Sequence, residues 1–250
     1  MCTPVPPTGH WHEDYERGRP GWPIEVFDLI SLPATATVLE LGAGTGKLTR
    51  LLVGRFDRVI AVEPDEGMRA LLSLRAPRVE VMAGAAEEIP MADASVDAVF
   101  VAEAFHTFDG ERAVIDIARV LKPRGVLVLM WNLPAGPTRP AIAAAEQLLL
   151  DRAPAALTYD PVDLNPRRYS SGEWRAPFTD SAFAEFQEAR IANPQTIGRE
   201  GVVAFFESMG WVGHLTESER LPLLERVRSL LDAPEYHRSW ETHLYWTRLD

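Results

Sequence analysis

The sequence holds a single cysteine, Cys2. No intrachain disulfide and no cysteine-built metal cluster can form from it, and a reducing compartment suits such a chain. No apolar run approaches the roughly 18–20 residues that a membrane-spanning helix needs. Residues 1–10, MCTPVPPTGH, lack a basic stretch followed by an apolar one, so no secretory leader is expected. Basic residues are in the minority: 25 Lys and Arg face 36 Asp and Glu, for a formal net charge of −11. That balance leaves no general footprint for nucleic-acid phosphates. The expectation is a cytoplasmic protein with a small-molecule partner, neither on a membrane nor on nucleic acid. Its oligomeric state stays open.

What is present is the pattern of a globular α/β chain. Of its 250 residues, 46% are hydrophobic, enough to build a sizeable core. No internal repeat is visible, and the proline-rich residues 1–10 are expected to be loose. Pro23 can open a short helix burying Ile24, Phe27 and Ile30. Val38–Leu41, Val59–Val62, Val79–Ala83, Val96–Val101 and Val126–Trp131 read as five strands. Between them Leu48, Leu51 and Leu52 show helical spacing, as do Met68, Leu71 and Leu72 behind an N-capping Asp65. Val114, Ile117, Ala118 and Leu121 mark a further helix, stopped by Lys122-Pro123-Arg124-Gly125. Apolar strands alternating with amphipathic helices predict βαβ units and a buried parallel sheet. One helix, around Ile142, Ala145, Leu148 and Leu149, stands out in residues 132–182. A strand over 183–191, helices over 200–209 and 217–231, and an extended run over 237–249 close the chain. Two C-terminal strands would complete a seven-stranded sheet. The expected organisation is one domain over residues 1–250. It divides into an N-terminal arm (1–31), a cofactor-binding core (32–131), a variable acceptor-side segment (132–182) and a sheet-completing C-terminal part (183–250).

The sharpest local feature is Val38-Leu-Glu-Leu-Gly-Ala-Gly-Thr-Gly-Lys-Leu-Thr49. A strand runs into Gly42-Ala43-Gly44-Thr45-Gly46 and then into a helix, so backbone can approach a ligand closely. A phosphate-cradling P-loop needs Gly at position 41 and Ser or Thr at 48, and both are leucine. The dinucleotide fingerprint needs glycine where Lys47 stands. The turn instead suits a ligand without phosphates. Glu40 can meet the ammonium of an amino acid, and Glu63, at the end of the second strand, can accept hydrogen bonds from both ribose hydroxyls. An ordinary tight turn is the bland alternative, and the acid at both strand ends speaks against it.

The segments ELGAGTGKLT, AVEPDEGM, GAAEEIPMADASVDAVF and LKPRGVLVLMW, within residues 38–131, resemble in order and spacing the successive motifs of class I S-adenosylmethionine-dependent methyltransferases. The segments Tyr15-Glu-Arg-Gly-Arg-Pro-Gly-Trp-Pro23 and Ala102-Glu-Ala-Phe-His-Thr-Phe-Asp109 look like the small-molecule branch that includes trans-aconitate-type and ubiquinone-biosynthesis-like enzymes. The resemblance implies S-adenosylmethionine as cofactor. It also implies a Rossmann-like, seven-stranded, mostly parallel sheet with its last strand antiparallel and helices on both faces. With the residue-level reading it assigns to the cofactor Tyr15, Arg19, Glu40, Gly42, Ala43, Gly44, Thr45, Gly46, Glu63, Pro64, Met68, Ala85, Ala86, Glu87, Ala102 and Glu103. Two departures stand out. Many relatives place Asp where this chain has Ala85, which leaves Ala86 and Glu87 as adenine contacts. Relatives often read Gln-Ala-Phe-His-Trp where this chain has Glu103 and Thr107.

For catalysis the candidates are His106 and Glu103, beyond the fourth strand at the carboxyl edge where open α/β sheets bind ligands. His106 can orient an acceptor or take its proton; the alternative is a packed histidine or a cofactor wall. Arg19 can clamp a carboxylate or be a solvated arginine. Trp11 and Trp22 suit packing of the arm better than ligand stacking. Trp131, Tyr159, Tyr169, Trp174, Phe178, Phe205 and Trp211 are read as packing residues, several of which can line an apolar acceptor pocket. His10 and His12 lack a third ligand, so no metal is expected. The predicted reaction is direct methyl transfer to an oxygen or nitrogen of a small molecule. The other readings are a non-methylating enzyme on the same fold, a cofactor-sensing module without catalysis, and a nicotinamide-dependent dehydrogenase.

Overall fold

The computed structural model describes residues 11–153, 159–160, 165–166 and 171–250. The expectations for residues 1–10, including Cys2 and His10, for Tyr169 and for the side chain of Tyr159 lie outside the described residues.

The chain opens with helices α1 (Trp11–Gly18) and α2 (Val26–Leu29). The core follows as β1 (Thr37–Leu41), α3 (Thr49–Arg55), β2 (Arg58–Val62), α4 (Glu66–Arg75), β3 (Glu80–Met82), β4 (Val96–Ala102), α5 (Gly110–Val120) and β5 (Leu121–Pro134). After α6 (Pro140–Leu150) come the two-residue strands β6 (Tyr159–Asp160) and β7 (Asn165–Pro166), then β8 (Gln187–Ala192) and β9 (Gln195–Gly198). Helices α7 (Arg199–Glu207), α8 (Gly210–Gly213) and α9 (Glu217–Leu230) lead to β10 (Glu235–Arg238) and β11 (Trp240–Arg248).

Seven strands form one sheet in the order β3-β2-β1-β4-β5-β11-β8. Strands β1 to β5 are parallel, and β11 runs antiparallel to both β5 and β8. The expected seven-stranded sheet with an antiparallel last strand is therefore met. Strand alternation builds its two apolar faces. Leu39, Val99, Val101, Leu127 and Leu129 pack with Val114 and Ile117 of α5 on one face. Val38, Ala98, Phe100, Val126 and Val128 pack with Phe27, Leu52 and Phe56 on the other. Because both faces are covered, the central strands read as mostly apolar runs, with Glu40 and Asp97 the charged residues of β1 and β4. A third cluster joins α6, α7 and α9 through Ile142, Leu149, Val202, Phe206, Leu224 and Val227. Among the described residues, no helix is long and apolar enough to cross a membrane.

Several local expectations change. Pro23 and Ile24 precede the helix in a turn closed by Val26 N–H to the Pro23 carbonyl and Phe27 N–H to the Ile24 carbonyl. These i to i+3 bonds shift the register. Val26, Phe27 and Ile30 are buried, while Ile24 is 66% exposed. Leu121 does not end α5; it starts β5, pairing with Val96 before the register shifts to Ala98 with Val126. Pro123 holds the residue before it extended, Arg124 takes a φ of +64°, and Lys122 bonds Asp97 at 2.9 Å. Lys122 to Gly125 is thus an irregularity inside a strand rather than a helix stop. Phe183 only bridges to Leu249, and the strand expected there begins at Gln187. The final extended run splits at Ser239: β10 pairs with β9, and β11 joins the main sheet.

Candidate functional site

Strand β1 pairs with β2 on one side and β4 on the other, so the chain changes direction of winding at the carboxyl ends of β1 and β4. Ligands bind at such switch points in open α/β sheets. A cleft lies there, at the place in such sheets where small-molecule sites are found. Its lining brings together Tyr15 and Arg19 from the arm, Glu40, Gly42, Ala43, Gly44 and Thr45 from the glycine turn, and Ala102 and Glu103 from the end of β4. Gly46, Glu63, Pro64, Met68, Ala85, Ala86, Glu87 and His106 are not part of that lining.

The turn works as its sequence requires. Gly42, Gly44 and Gly46 take φ values of +64°, +56° and +86°, which favour glycine. A Cβ at Gly46 would lie 2.4 Å from Leu72 Cδ1, whereas one at Gly44 would meet nothing within 4 Å. The space beside Gly44, which lines the cavity, is therefore open. Glu63 braces the turn from below: one carboxylate oxygen accepts from Gly44 N–H and the other from Asp65 N–H, both at 2.9 Å. Asp65 caps α4 by accepting from Met68 N–H at 2.7 Å. It also hydrogen-bonds His12 at 2.9 Å, so His12 serves arm docking. Ala86 is buried, Ala85 bridges to Glu88, and Glu87 accepts from Asp109 N–H at 2.7 Å. These three stand at the end of β3, beside the same sheet edge.

The arm forms the outer wall. Glu16, which the sequence did not single out, accepts from Thr45 Oγ1 at 2.5 Å and Arg50 Nη2 at 2.6 Å. Arg19 Nε donates to Ser208 Oγ at 2.9 Å, and its guanidinium lies over Phe205, 4.9 Å from the ring centre. A Cβ on Gly18 would sit 2.2 Å from Phe205 N, so α1 packs backbone to backbone against α7. Trp22 also lines the cavity, beyond the packing role expected of it.

Asn132, Lys47, Phe205 and Trp240 also line the cavity, with Pro20 and Leu48. Only Phe205 was weighed from sequence, as one of many aromatics. Asn132 is a buried hub: its Nδ2 donates to the Gly21 carbonyl at 3.0 Å, and its Oδ1 accepts from Thr242 Oγ1 at 2.5 Å and Asn193 Nδ2 at 3.0 Å. Its position directly after the buried strand end at Trp131 was the available signal. Its backbone N–H donates to Glu103 Oε1 at 2.6 Å. Glu103 has a φ of +54°, a strained conformation of the kind that clusters at ligand sites. Burial pushes its carboxyl up to about 7, against the pull of the Asn132 N–H and Arg19. Burial likewise pushes Glu40 up to about 8, against the Thr49 hydroxyl that bonds it at 2.5 Å. Glu63 is raised by burial, opposed by its two backbone N–H donors. Lys47 is lowered by burial. His106 is half-buried, and Trp131 Nε1–H donates to its Nδ1 at 3.3 Å.

The donor set fits a bipolar ligand joined to a nucleoside. A cation beside Glu40 would restore its ionised form, and an anion would find Arg19 and Lys47. The same burial sets a pH dependence. Glu40 and Glu103 hold protons in the folded chain that an unfolded carboxyl, near 4.5, would release. Their stabilising contribution is full below about pH 4.5, declines as pH rises toward 7 to 8, and is flat above. Thermal melts from pH 5 to 8.5 should therefore show wild type losing stability relative to Glu40→Gln as pH rises. A difference independent of pH would refute this assignment.

The family described as "Methyltransferase domain" matches residues 39–129. An uncharacterized methyltransferase-like protein of Schizosaccharomyces pombe is 33% identical over 224 residues, 88% of this chain and 82% of its own. An uncharacterized methyltransferase of Mycobacterium tuberculosis is 51% identical over 118 residues, 47% of this chain. The chain spans about half the length (49%) of that relative. Among solved structures, a putative type II methyltransferase from Anaeromyxobacter dehalogenans superposes with a TM-score of 0.66 at 24% identity, covering 92% of this chain and 97% of that one.

Proposed function

The chain belongs to the class I S-adenosylmethionine-dependent methyltransferases, and from that premise we propose that it transfers the cofactor's methyl group to an oxygen or nitrogen of a small molecule. The observation that carries this reading is the cavity at the β1/β4 switch point. Open glycine backbone forms one wall, and Glu103, with its carboxyl near 7, forms the other. When bound, S-adenosylmethionine supplies a methyl group on a positively charged sulfur, which needs no protonation to leave.

The protein's part is to bind, align and move a proton. In this reading Glu63 holds the ribose hydroxyls, with Pro64 and Met68 alongside. Ala85, Ala86 and Glu87 flank the adenine. Gly42 to Gly46 let the ligand lie against backbone. Glu40 serves the amino group, and Arg19 with Lys47 the carboxylate. Tyr15 and Ala102 close the sides. Glu103 takes the acceptor's proton, since a base with a pKa near ambient pH combines availability with strength. His106 stays a second candidate at the same edge. The proposed setting is the cytoplasm.

The test is calorimetry of the full chain with S-adenosylhomocysteine and, separately, with NAD⁺. It is followed by incubation with trideuteromethyl S-adenosylmethionine and panels of small carboxylic acids, phenols and amines, read by mass spectrometry. Micromolar binding of S-adenosylhomocysteine alone, and an acceptor gaining the labelled methyl, are expected. Binding of NAD⁺ instead, or no labelled product from any panel, would count against the reading.

A further inference from the structure

We infer that a second cavity, beside the N-terminus of α6 and behind Trp240, is a binding subsite for an anionic group, a carboxylate or a phosphate. The hollow is small and open to solvent, and is lined by Thr138, Arg139, Ile142, His237, Arg238 and Ser239. Trp240 lines both this cavity and the larger one at the switch point.

Arg238 carries the argument. Its side chain is only 6% exposed. The guanidinium lies 4.1 Å from the ring centre of Phe205 and 4.4 Å from that of Trp240. Its Nη2 is 3.7 Å from Glu146 Oε1, while its buried Nη1 has no hydrogen-bond partner among the described residues. A buried charged donor left unsatisfied is costly, and such groups point to a ligand or a function. Burial also pulls the guanidinium down to about 10, with Arg19 adding to the shift and Glu146 only opposing it. The neighbourhood thus undersupplies negative charge, although the whole chain carries a net charge of −11.

The other groups are of the same sign or are donors. Helix α6 has 11 residues, begins with Pro140 at its first turn, and has no side-chain cap at Arg139. The start of this helix, whose dipole end is positive and has no side-chain cap, contributes Thr138, Arg139 and Ile142 to the lining. Arg139 stands over the ring of Tyr236 at 5.4 Å and is exposed. Thr138 and Ser239 add hydroxyls, and His237 shares a hydrogen bond with Thr196 through Nδ1. No carboxylate lines the cavity among the described residues. Two arginines, a helix N-terminus and two hydroxyls around a small hollow open to solvent match one carboxylate or phosphate group.

The anion has two possible sources: a charged group of the acceptor, or a free anion. The first depends on the proposed function; the subsite itself does not. The experiment titrates the full chain with inorganic phosphate, succinate and the neutral succinamide, by calorimetry, with and without S-adenosylhomocysteine. Phosphate or succinate should bind and succinamide should not. Arg139→Gln, at an exposed position, should weaken the anion about 10-fold. Arg238→Lys, which keeps charge but loses the fork, should weaken it as much or more. Arg58→Gln, at the exposed start of β2, should leave it unchanged. Anion binding that tightens with S-adenosylhomocysteine present assigns the subsite to the acceptor; equal binding assigns it to a free anion. Equal responses to succinate and succinamide overturn the inference, as does anion binding insensitive to both Arg139→Gln and Arg238→Lys. Failure of S-adenosylhomocysteine to bind counts against the proposed function and leaves the anion readout standing.

Discussion

Replacing Glu63 with alanine should weaken S-adenosylhomocysteine binding by roughly 10- to 150-fold, since a hydrogen bond to a charged group contributes about 1.5–3 kcal/mol. The upper part of that range is expected, because Glu63 acts twice. In the proposed function its carboxylate takes the ribose hydroxyls, and in the structure it holds the Gly44 and Asp65 N–H groups, both at 2.9 Å. Without it, the turn loses the brace that sets Gly44 at a φ of +56°, and the buried N–H groups lose their acceptor. Glu63→Gln separates the two effects. Its amide keeps one acceptor oxygen but turns an NH₂ toward the other donor, so the turn should loosen while the side chain keeps its size. Calorimetry gives the affinities, and circular dichroism confirms that each variant is folded. An affinity in Glu63→Ala equal to wild type would remove Glu63 from the cofactor site.

The core of the fold was legible because its information is local. Val38–Leu41 and Val96–Val101 are buried on both sides, so each reads as an apolar run with no need to know its neighbours. The glycine turn was legible for the same reason: its conformation is demanded by residues inside it. The remaining walls of the site rest on long-range contacts. Asn132 meets Thr242 across 110 positions, and Arg19 meets Ser208 across 189. No periodicity links such partners. Glu16 looked like one more surface acid on α1, yet it ties the arm to Thr45 and Arg50. Lys122 to Gly125 failed differently. Proline and glycine there signal a stop, but pairing of Leu121 with Val96 draws the segment into β5, so tertiary pairing overrode local preference.

The structure also divides the two catalytic candidates. Glu103→Gln should lower turnover by about 100- to 10,000-fold, the usual worth of a general base, with S-adenosylhomocysteine affinity nearly intact. Glutamine fills the same space and still offers an oxygen to the Asn132 N–H, which Glu103 accepts at 2.6 Å. A base must be deprotonated to act. With the carboxyl raised to about 7, the wild-type rate should rise through about pH 7 and then level off, and Glu103→Gln should lack that limb. His106 is differently placed. Its Nδ1 accepts from Trp131 Nε1–H at 3.3 Å, so in the neutral ring the proton sits on Nε2. Such an imidazole donates from Nε2 and has its acceptor nitrogen engaged, which suits orienting an acceptor more than taking its proton. His106→Gln should then lower the rate by less than about 10-fold and leave the pH limb in place, since a lost neutral hydrogen bond accounts for about 1 kcal/mol. The measurements are kcat, its pH profile and S-adenosylhomocysteine affinity for both variants, with the acceptor found in the labelling screen. If His106→Gln instead loses 100-fold or more at unchanged affinity and Glu103→Gln keeps the limb, the base is His106. If affinity falls together with rate in Glu103→Gln, Glu103 is a cofactor wall and the proton leaves by another route.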